Sequence, residues 1–292
     1  KGGGKGGSLM QFTEDHRLLI KALSADDHVS LLAIGQSYCN YIVESSSSLL
    51  VRFFFHFYRP ADRKNYVVMN SCLPIGGIVD SLWDLKGCAD DKALREDGVS
   101  VPQVHKRFFM LHWILAESCS VCCIAALPDG RRRYKKCKTE ARSKVFLLEA
   151  SDCRMVKEAV RSDVAFLKDR GLMDYSLLVG TMSAKLPCHP DGAAPPPLPE
   201  FPVASMEGQP LVAVRDGTAT AHYVGIIDFL QGWTSGKRVA HVIKYLFAPR
   251  PISTIRPEEY AAQFVAANER RFLVAPGDPR HPHLHTSHPP SA

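Results

Sequence analysis

The stretch GLMDYSLLVG, residues 171–180, joins a predicted helix to a predicted buried strand and carries one acid, Asp174, at the junction. Apolar residues recur at helical spacing over 153–170, and Gly171 follows where a C-terminal cap belongs. The apolar run 175–179 then predicts a strand inside the core. A carboxylate at the edge of a core is costly unless it is paired, so Asp174 needs a partner in the fold.

A second apolar strand, HYVGIIDFLQ at 222–231, carries its acid, Asp228, near its far end. If the two strands form an antiparallel hairpin, the residue that enters the first lies beside the residue that leaves the second. Asp174 and Asp228 are therefore expected to face one another at one rim of the sheet. The Pro-rich stretch 183–218 is expected to be an extended loop between the paired strands, outside the core.

Two carboxylates at one rim have two interpretations. Mg²⁺ binds oxygen ligands, commonly one or two carboxylates together with phosphate and water, so Asp174 and Asp228 suit a magnesium–nucleotide site. Alternatively, each aspartate accepts backbone N–H bonds within its own turn and has a structural role. Spacing alone leaves both interpretations open.

The amino-terminal residues favour the nucleotide interpretation. Glycines at 2–4 and 6–7 let the backbone approach a phosphate closely, although such a run is also typical of a linker. Residues 9–23 predict a hairpin, and Lys21 lies among apolar neighbours in its second strand, where an ammonium group requires an anion. In protein kinases a glycine loop, a strand lysine and a metal-binding aspartate together perform phosphoryl transfer.

The remaining segments predict a mixture of helices and strands. Helical spacing predicts a helix over 25–45, and apolar runs at 49–58 and 66–69 predict further strands. A Pro- and His-rich tail at 275–292 is expected to be disordered. The apolar segment 108–127 has the length of a membrane span, but its histidine and glutamate favour a core helix, with an interfacial helix as the alternative.

Composition restricts the class of partner. The 292 residues carry 36 Lys and Arg against 30 Asp and Glu, and the resulting net charge of +6 favours an anionic partner. No basic motif interleaved with aromatic residues accompanies that charge, so nucleic acid is not expected. Nine cysteines without a signal peptide indicate a reducing, cytoplasmic compartment, and no Cys and His spacing completes a zinc site.

Seven motifs, taken in order, make the sequence resemble the phosphatidylinositol phosphate kinase family. They are GKGGS at 4–8, LLIKAL at 18–23, YVVMN at 66–70, DLKG at 84–87, MDYSLLVG at 173–180, GIIDFLQ at 225–231 and PEEYAAQF at 257–264. MDYSLLVG and the IID strand are highly specific to that family. The resemblance implies an α+β, two-lobed protein-kinase-like fold with antiparallel sheets and a nucleotide cleft between the lobes.

The resemblance also implies a division of the chain and a place of action. It implies an N-lobe at 1–70 and a C-lobe at 71–274, with the insert 183–218 and an activation loop at 229–252. It implies a lipid kinase that uses ATP and Mg²⁺ and acts as a peripheral protein on an anionic, phosphoinositide-containing membrane at its cytosolic face, without a transmembrane span. A homodimer is expected if the family's N-terminal region is present.

The matched motifs imply roles for individual residues. The implied nucleotide-binding residues are Gly4, Gly6, Gly7 and Ser8 in the glycine loop, Lys21 on the phosphates and Met69 in the adenine-binding hinge. The implied catalytic residues are Asp174 in the catalytic loop, and Asp84 and Lys86 near the transferred phosphate. Asp228 is implied as the magnesium ligand.

The activation loop resembles the part of the family that selects the lipid. Lys237, Arg238 and Lys244 match basic residues of the family, and each such charge near a bilayer adds about 1 kcal/mol of attraction to anionic lipid. Ala240 falls where relatives that act on the 5-phosphate carry Ala and relatives that act on the 4-phosphate carry Glu. The resemblance therefore favours the 5-phosphate as substrate and the 4,5-bisphosphate as product.

Two departures from the family's motifs keep a second function class open. Cys88 replaces the serine of DLKGS, and Lys92 replaces an arginine of the substrate region, which keeps the charge but loses the bidentate fork. An active lipid kinase is the first interpretation. A catalytically impaired, phosphoinositide-binding pseudokinase or scaffold is the alternative.

Overall fold

The chain combines antiparallel sheets with packed helices, and the predicted α+β class is confirmed. The computed structural model describes residues 2–3, 9–103, 129–187, 197–204, 209–238, 241, 245 and 251–276. Several predicted features lie outside these residues, namely Gly4, Gly6, Gly7, Ser8, the segment 108–127, Ala240, Lys244 and most of the tail.

The first sheet contains the amino-terminal strands. Its members are β1 (Gly2–Gly3), β2 (Leu9–Phe12), β3 (Leu18–Ala22), β4 (Phe53–Arg59) and β5 (Lys64–Asn70), in the order β1-β2-β3-β5-β4. The predicted hairpin over 9–23 is confirmed, because Met10 of β2 lies opposite Lys21 of β3 in an antiparallel register. Asp15 closes its turn by accepting bonds from the Thr13 hydroxyl and the Arg17 N–H.

One long helix, α1 (Ala25–Glu44), packs beside this sheet as predicted. Its N-cap is Ser24, whose hydroxyl accepts the N–H of Asp27 at 3.1 Å. The buried face of α1 includes Tyr38, whose hydroxyl donates to the carbonyl of Val51 at 2.7 Å. This bond fixes the helix against the chain segment that enters β4.

The second sheet contains the strands that position the two acids. Its members are β6 (Ser81–Leu85), β7 (Lys92–Glu96), β8 (Val99–Ser100), β10 (Ser176–Lys185), β11 (Leu211–Arg215) and β12 (Thr218–Ile227), in the order β11-β12-β10-β6-β7-β8. The predicted pairing of β10 with β12 is confirmed, with Ser176 opposite Ile227 and Lys185 opposite Thr218. A parallel pair, β9 (Phe146–Leu148) with β13 (Phe272–Val274), joins distant parts of the chain.

The predicted loop 183–218 includes residues at both ends that the structure places in strands. Residues 183–185 continue β10, and the run LVAVR at 211–215 forms β11, which pairs with β12 and buries Ala213 and Val214. The prediction that this stretch lies outside the core is therefore wrong for β11. The reason is that LVAVR is a short β-branched, apolar run, which pairs along β12 although its flanking residues are rich in proline.

The described part of the chain contains three further long helices: α2 (Asp129–Ser143), α3 (Ala150–Asp169) and α4 (Pro257–Glu269). The apolar face predicted for 153–170 is buried on α3, and Gly171 follows it with φ +67°, the left-handed conformation of a C-terminal cap. No helix in the described ranges is long and apolar enough to cross a bilayer.

A short segment connects the two sheets. The N–H of Val51 donates to the carbonyl of Ile226 at 3.1 Å, and the N–H of Ile226 donates to the carbonyl of Leu49 at 2.6 Å. Asp163 of α3 supports the same segment by accepting the N–H of Leu49 at 2.7 Å. The end of β12 is thereby held next to the first sheet.

Candidate active site

The two predicted acids lie at the same end of one strand pair. Asp174 precedes β10 by two residues and Asp228 follows β12 directly, and the last pair of the ladder is Ser176 with Ile227. Both aspartates have a left-handed backbone, with φ 64° at Asp174 and 59° at Asp228. Such conformations cost about 1–3 kcal/mol in a residue other than glycine and are concentrated at functional sites.

Asp228 forms an ion pair that connects the two sheets. Its Oδ1 lies 2.5 Å from the Nζ of Lys21 on β3, and the side chains are 50% and 16% exposed. Lys21 therefore meets an anion, as its apolar surroundings predicted. Asp27 on the neighbouring helix α1 instead accepts a bond from Gln231.

Asp174 is held by two lysines. Lys86 Nζ lies 2.5 Å from Oδ1 of Asp174 and donates to its backbone carbonyl at 2.5 Å. Lys237, from the predicted activation loop, lies 3.3 Å from Oδ2. All three side chains are largely buried, so these contacts are weakly screened by solvent.

A further ion pair lies beside this group. Asp84 and Lys92 face each other across β6 and β7, with Oδ2 and Nζ 2.6 Å apart. Burial would raise the pKa of Asp84, but Lys92 and Lys86 outweigh it and lower that pKa. Burial would likewise lower the pKa of Lys86, but Asp174 and Asp84 raise it. Asp84, Lys86, Lys92 and Asp174 thus form one cluster of charged groups.

The other predicted residues are distributed around this cluster. Cys88 is buried, and burial raises the pKa of its thiol to about 12, so the side chain stays neutral. Met69 is buried in β5 opposite Leu19 and Phe53. Arg238 lines a cavity of about 720 Å³ together with Gly171, Trp233, His241, Arg256, Pro257, Glu258 and Glu259.

The sequence did not indicate two residues that support the cluster. Asp91 accepts backbone N–H bonds from the turn that carries Lys86, and Arg271 forms an ion pair with Asp91. Both side chains are nearly fully buried, at 2% and 5% exposure. They lie 180 residues apart in the chain, so no local pattern predicts the contact.

The arrangement fits a magnesium–nucleotide site. Asp228 is half exposed, so an ion can reach a carboxylate of the kind that Mg²⁺ prefers. Lys21 supplies a positive charge next to it for a phosphate group. The purely structural interpretation, in which each aspartate only caps its own turn, does not account for the lysine contacts made by both acids.

Comparison with known proteins agrees with the motifs. A sequence model of the family described as phosphatidylinositol-4-phosphate 5-kinase matches residues 1–193 and 206–270. The chain is 26% identical over 309 residues to phosphatidylinositol 5-phosphate 4-kinase type-2 gamma of Danio rerio, covering 90% of this chain and 67% of the relative. It is 23% identical over 299 residues to phosphatidylinositol 4-phosphate 5-kinase 3 of Arabidopsis thaliana, covering 89% and 38%.

A human relative gives a similar result. The chain is 25% identical over 301 residues to phosphatidylinositol 5-phosphate 4-kinase type-2 alpha of Homo sapiens, covering 89% of this chain. The match spans 66% of that relative's length. The names of these relatives include both 4-kinases and 5-kinases.

Proposed function

The chain belongs to the phosphatidylinositol phosphate kinase family, and from that premise we propose that it transfers the γ-phosphoryl group of ATP to the inositol ring of a phosphatidylinositol monophosphate. The observation that carries the proposal is the pair of ion contacts at one end of the β10–β12 ladder. One contact, Lys21 with Asp228, suits the nucleotide, and the other, Lys86 with Asp174, suits the reacting hydroxyl.

Asp228 and Lys21 are the proposed nucleotide-side residues. A bound Mg²⁺ would supply positive charge to the phosphate groups during transfer. Asp228 would hold that ion through its exposed carboxylate, and Lys21 would then exchange its contact with Asp228 for a contact with phosphate. The glycine loop at 4–8 and Met69 are proposed to hold the remainder of the nucleotide.

Asp174 is the proposed acceptor of the hydroxyl proton. As the inositol oxygen forms its bond to the γ-phosphorus, the bond from that phosphorus to ADP breaks and the hydroxyl proton passes to the Asp174 carboxylate. Lys86 fixes this carboxylate, and its ammonium group, together with Lys92 nearby, adds positive charge where the transferred phosphoryl carries negative charge. Asp84 fixes Lys92 through their ion pair.

The lipid side of the site is proposed to lie at the activation loop. Arg238 and Arg256 line the 720 Å³ cavity beside Gly171, close in sequence to Asp174, and provide cations for a phosphorylated head group. Lys237 and Lys244 would add attraction to an anionic bilayer at the cytosolic face. Ala240 supports the 5-phosphate as the substrate and the 4,5-bisphosphate as the product.

A phosphoinositide-binding scaffold is the second candidate. It is favoured because lysines already contact both acids, Lys21 at Asp228 and Lys237 at Asp174, where a metal ion or substrate would otherwise bind. If these contacts persist when ligands are present, the chain would bind lipid without transferring phosphate. Cys88 and Lys92, which differ from the family's motifs, agree with that outcome.

A transfer assay separates the two candidates. Purified protein is incubated with radiolabelled Mg-ATP and anionic vesicles that contain the 3-, 4- or 5-phosphate of phosphatidylinositol, in parallel. We expect labelled bisphosphate, formed fastest from the 5-phosphate, and no transfer by Asp228→Asn although that variant remains folded by circular dichroism. Vesicle binding without transfer to any isomer would support the scaffold, and equal transfer by Asp228→Asn would remove Asp228 from the mechanism.

A further inference from the structure

The turn that carries Lys86 is built around one buried carboxylate. Oδ1 of Asp91 accepts the backbone N–H groups of Lys86 at 2.5 Å, Gly87 at 2.8 Å and Cys88 at 3.4 Å. Successive N–H groups that converge on one anion form a rigid concave turn. Gly87 has φ +71°, and a Cβ there would lie 2.6 Å from the Cβ of Ala267 on α4, so the turn also packs closely against that helix.

The second oxygen of Asp91 is held from the carboxyl-terminal part of the chain. Arg271 Nη2 lies 2.5 Å from Oδ2 of Asp91, and Arg271 Nη1 donates to the carbonyl of Ala141 on α2 at 2.6 Å. The backbone carbonyl of Arg271 also accepts the N–H of Phe146 at the start of β9. Arg271 thus joins the Asp91 turn to α2 and to the β9–β13 pair.

The turn determines where the Lys86 ammonium lies. The Lys86 N–H is fixed by Asp91, and at the other end of the same residue Nζ contacts both Oδ1 and the carbonyl of Asp174. We infer that Asp91 and Arg271 are positioning residues for phosphoryl transfer, acting through Lys86 on Asp174. This inference rests on the proposed function, in which Asp174 accepts the hydroxyl proton.

A general structural role makes a different prediction, and the chain offers a matched control. Asp163 is also fully buried and accepts three bonds, from the Tyr41 hydroxyl at 2.7 Å, the Ser48 hydroxyl at 2.8 Å and the Leu49 N–H. None of its partners contacts Lys86 or Asp174 in these bonds, although Leu49 also pairs with Ile226 at the end of β12. If buried carboxylates matter here only for stability, Asp163→Asn and Asp91→Asn should behave alike.

The first experiment measures kcat and KM for ATP at a temperature well below the thermal unfolding midpoint of each variant. We expect Asp91→Asn to lower kcat by about 10- to 100-fold with KM for ATP within about twofold, because small displacements at a reacting centre have effects of this size. Asp163→Asn acts on the Asp228 side of the site through Leu49 and leaves Lys86 on Asp174, so it should lower kcat by less than Asp91→Asn does. Arg271→Lys, which keeps the charge opposite Asp91, should retain more activity than Arg271→Met. Equal losses in Asp91→Asn and Asp163→Asn would overturn the inference.

The second experiment does not depend on catalysis. An amine-acylating reagent is applied to the intact protein, and labelling of Lys86 is followed by mass spectrometry. Lys86 should be labelled at least about tenfold faster in Asp91→Asn and in Arg271→Met than in the wild type or Asp163→Asn, because its ammonium no longer stays on Asp174. Unchanged labelling would contradict the positioning role. A wild type that shows slow Lys86 labelling but no transfer would refute the proposed function and leave the geometry intact.

Discussion

The segments around Asp174 and Asp228 belong to the same pair of strands, yet they hold their carboxylates in different ways. Asp174 is 18% exposed and meets Lys86 and Lys237, whereas Asp228 is 50% exposed and meets Lys21. Asp174 is therefore fixed beside the second sheet. Asp228 is open to solvent, as the proposed exchange of its lysine partner for a metal ion requires.

The buried aromatic residue next to each acid explains the difference. Tyr175 follows Asp174 and packs edge to face against Tyr260 and Phe264 of α4, with ring centroids 4.8 Å apart in each case. Phe229 follows Asp228 and instead contacts Phe53 of β4 and Tyr38 of α1, at 5.0 and 5.8 Å. The residue after Asp228 is thus anchored to α1 and the first sheet, and the residue after Asp174 is anchored to α4.

The largest expected effect comes from removing the lysine partner of each acid in turn. Lys86→Met should lower kcat by about 10²–10³-fold and reduce the free energy of unfolding by about 3 kcal/mol, because it leaves Asp174 buried beside one remaining lysine. Lys21→Met should raise KM for ATP but shift the unfolding midpoint little, because Asp228 is half exposed. Steady-state kinetics and thermal unfolding are measured for both variants. If the two variants show the same changes in kcat, KM and unfolding midpoint, the proposed difference between Asp174 and Asp228 is wrong.

The next effect concerns β12, the strand that directly precedes Asp228. His222 on this strand is buried opposite Thr181, and burial lowers the pKa of its imidazole to about 4. The unfolded chain therefore binds a proton that the folded chain rejects, and stability should fall as pH drops from about 6.5 to about 4, by up to about 3 kcal/mol.

Urea unfolding at several pH values tests this expectation. His222→Gln should flatten the loss of stability within that pH window, and the exposed His56 provides the control variant His56→Gln, which should follow the wild type. A pH profile that His222→Gln leaves unchanged would show that another group causes the acid sensitivity.

A smaller effect is expected from Lys237, which lies in the predicted activation loop and contacts Asp174. Lys237→Gln should weaken binding to vesicles rich in anionic lipid about fivefold, which corresponds to about 1 kcal/mol for one basic residue. The difference should shrink as salt is raised, because salt screens the attraction between basic groups of the protein and an anionic bilayer. Sedimentation with vesicles measures it, and an unaltered affinity at low salt would show that Lys237 acts only on Asp174.

The smallest effect is expected from restoring the family's residues beside Asp84. Lys92 already forms an ion pair with Asp84, and Cys88 is buried and neutral. The double variant Cys88→Ser, Lys92→Arg should therefore change kcat by no more than about threefold, since the positive charge is retained. A gain of several hundredfold would instead show that the natural chain is catalytically impaired.

Apolar runs in the sequence predicted the part of the site that depends on strand pairing. The β10–β12 hairpin follows from two apolar strands with acids at their matching ends, and the register places Asp174 and Asp228 together at that end. The helix over 153–170 and its glycine cap followed from local spacing in the same way.

Contacts between distant segments could not be predicted in that way. Lys21 was expected to need an anion, but its spacing does not show that Asp228 supplies it. That contact forms because the segment 49–51 holds the end of β12 next to the first sheet. The pairing of Asp91 with Arg271 depends on how α2, α4 and β13 pack together. The strand β11 was predicted as part of a loop because the stretch around it is rich in proline. Its pairing depends on the partner strand β12.

The most direct measurement is the binding of Mn²⁺, a paramagnetic substitute for Mg²⁺, in the presence of a nonhydrolysable ATP analogue. Electron paramagnetic resonance titrations would compare the wild type with Asp228→Asn and Asp174→Asn. We predict one tightly bound ion per wild-type chain, a loss of affinity of at least about tenfold in Asp228→Asn, and a smaller loss in Asp174→Asn. Equal affinity in all three proteins would contradict a metal–nucleotide site at the end of the β10–β12 ladder.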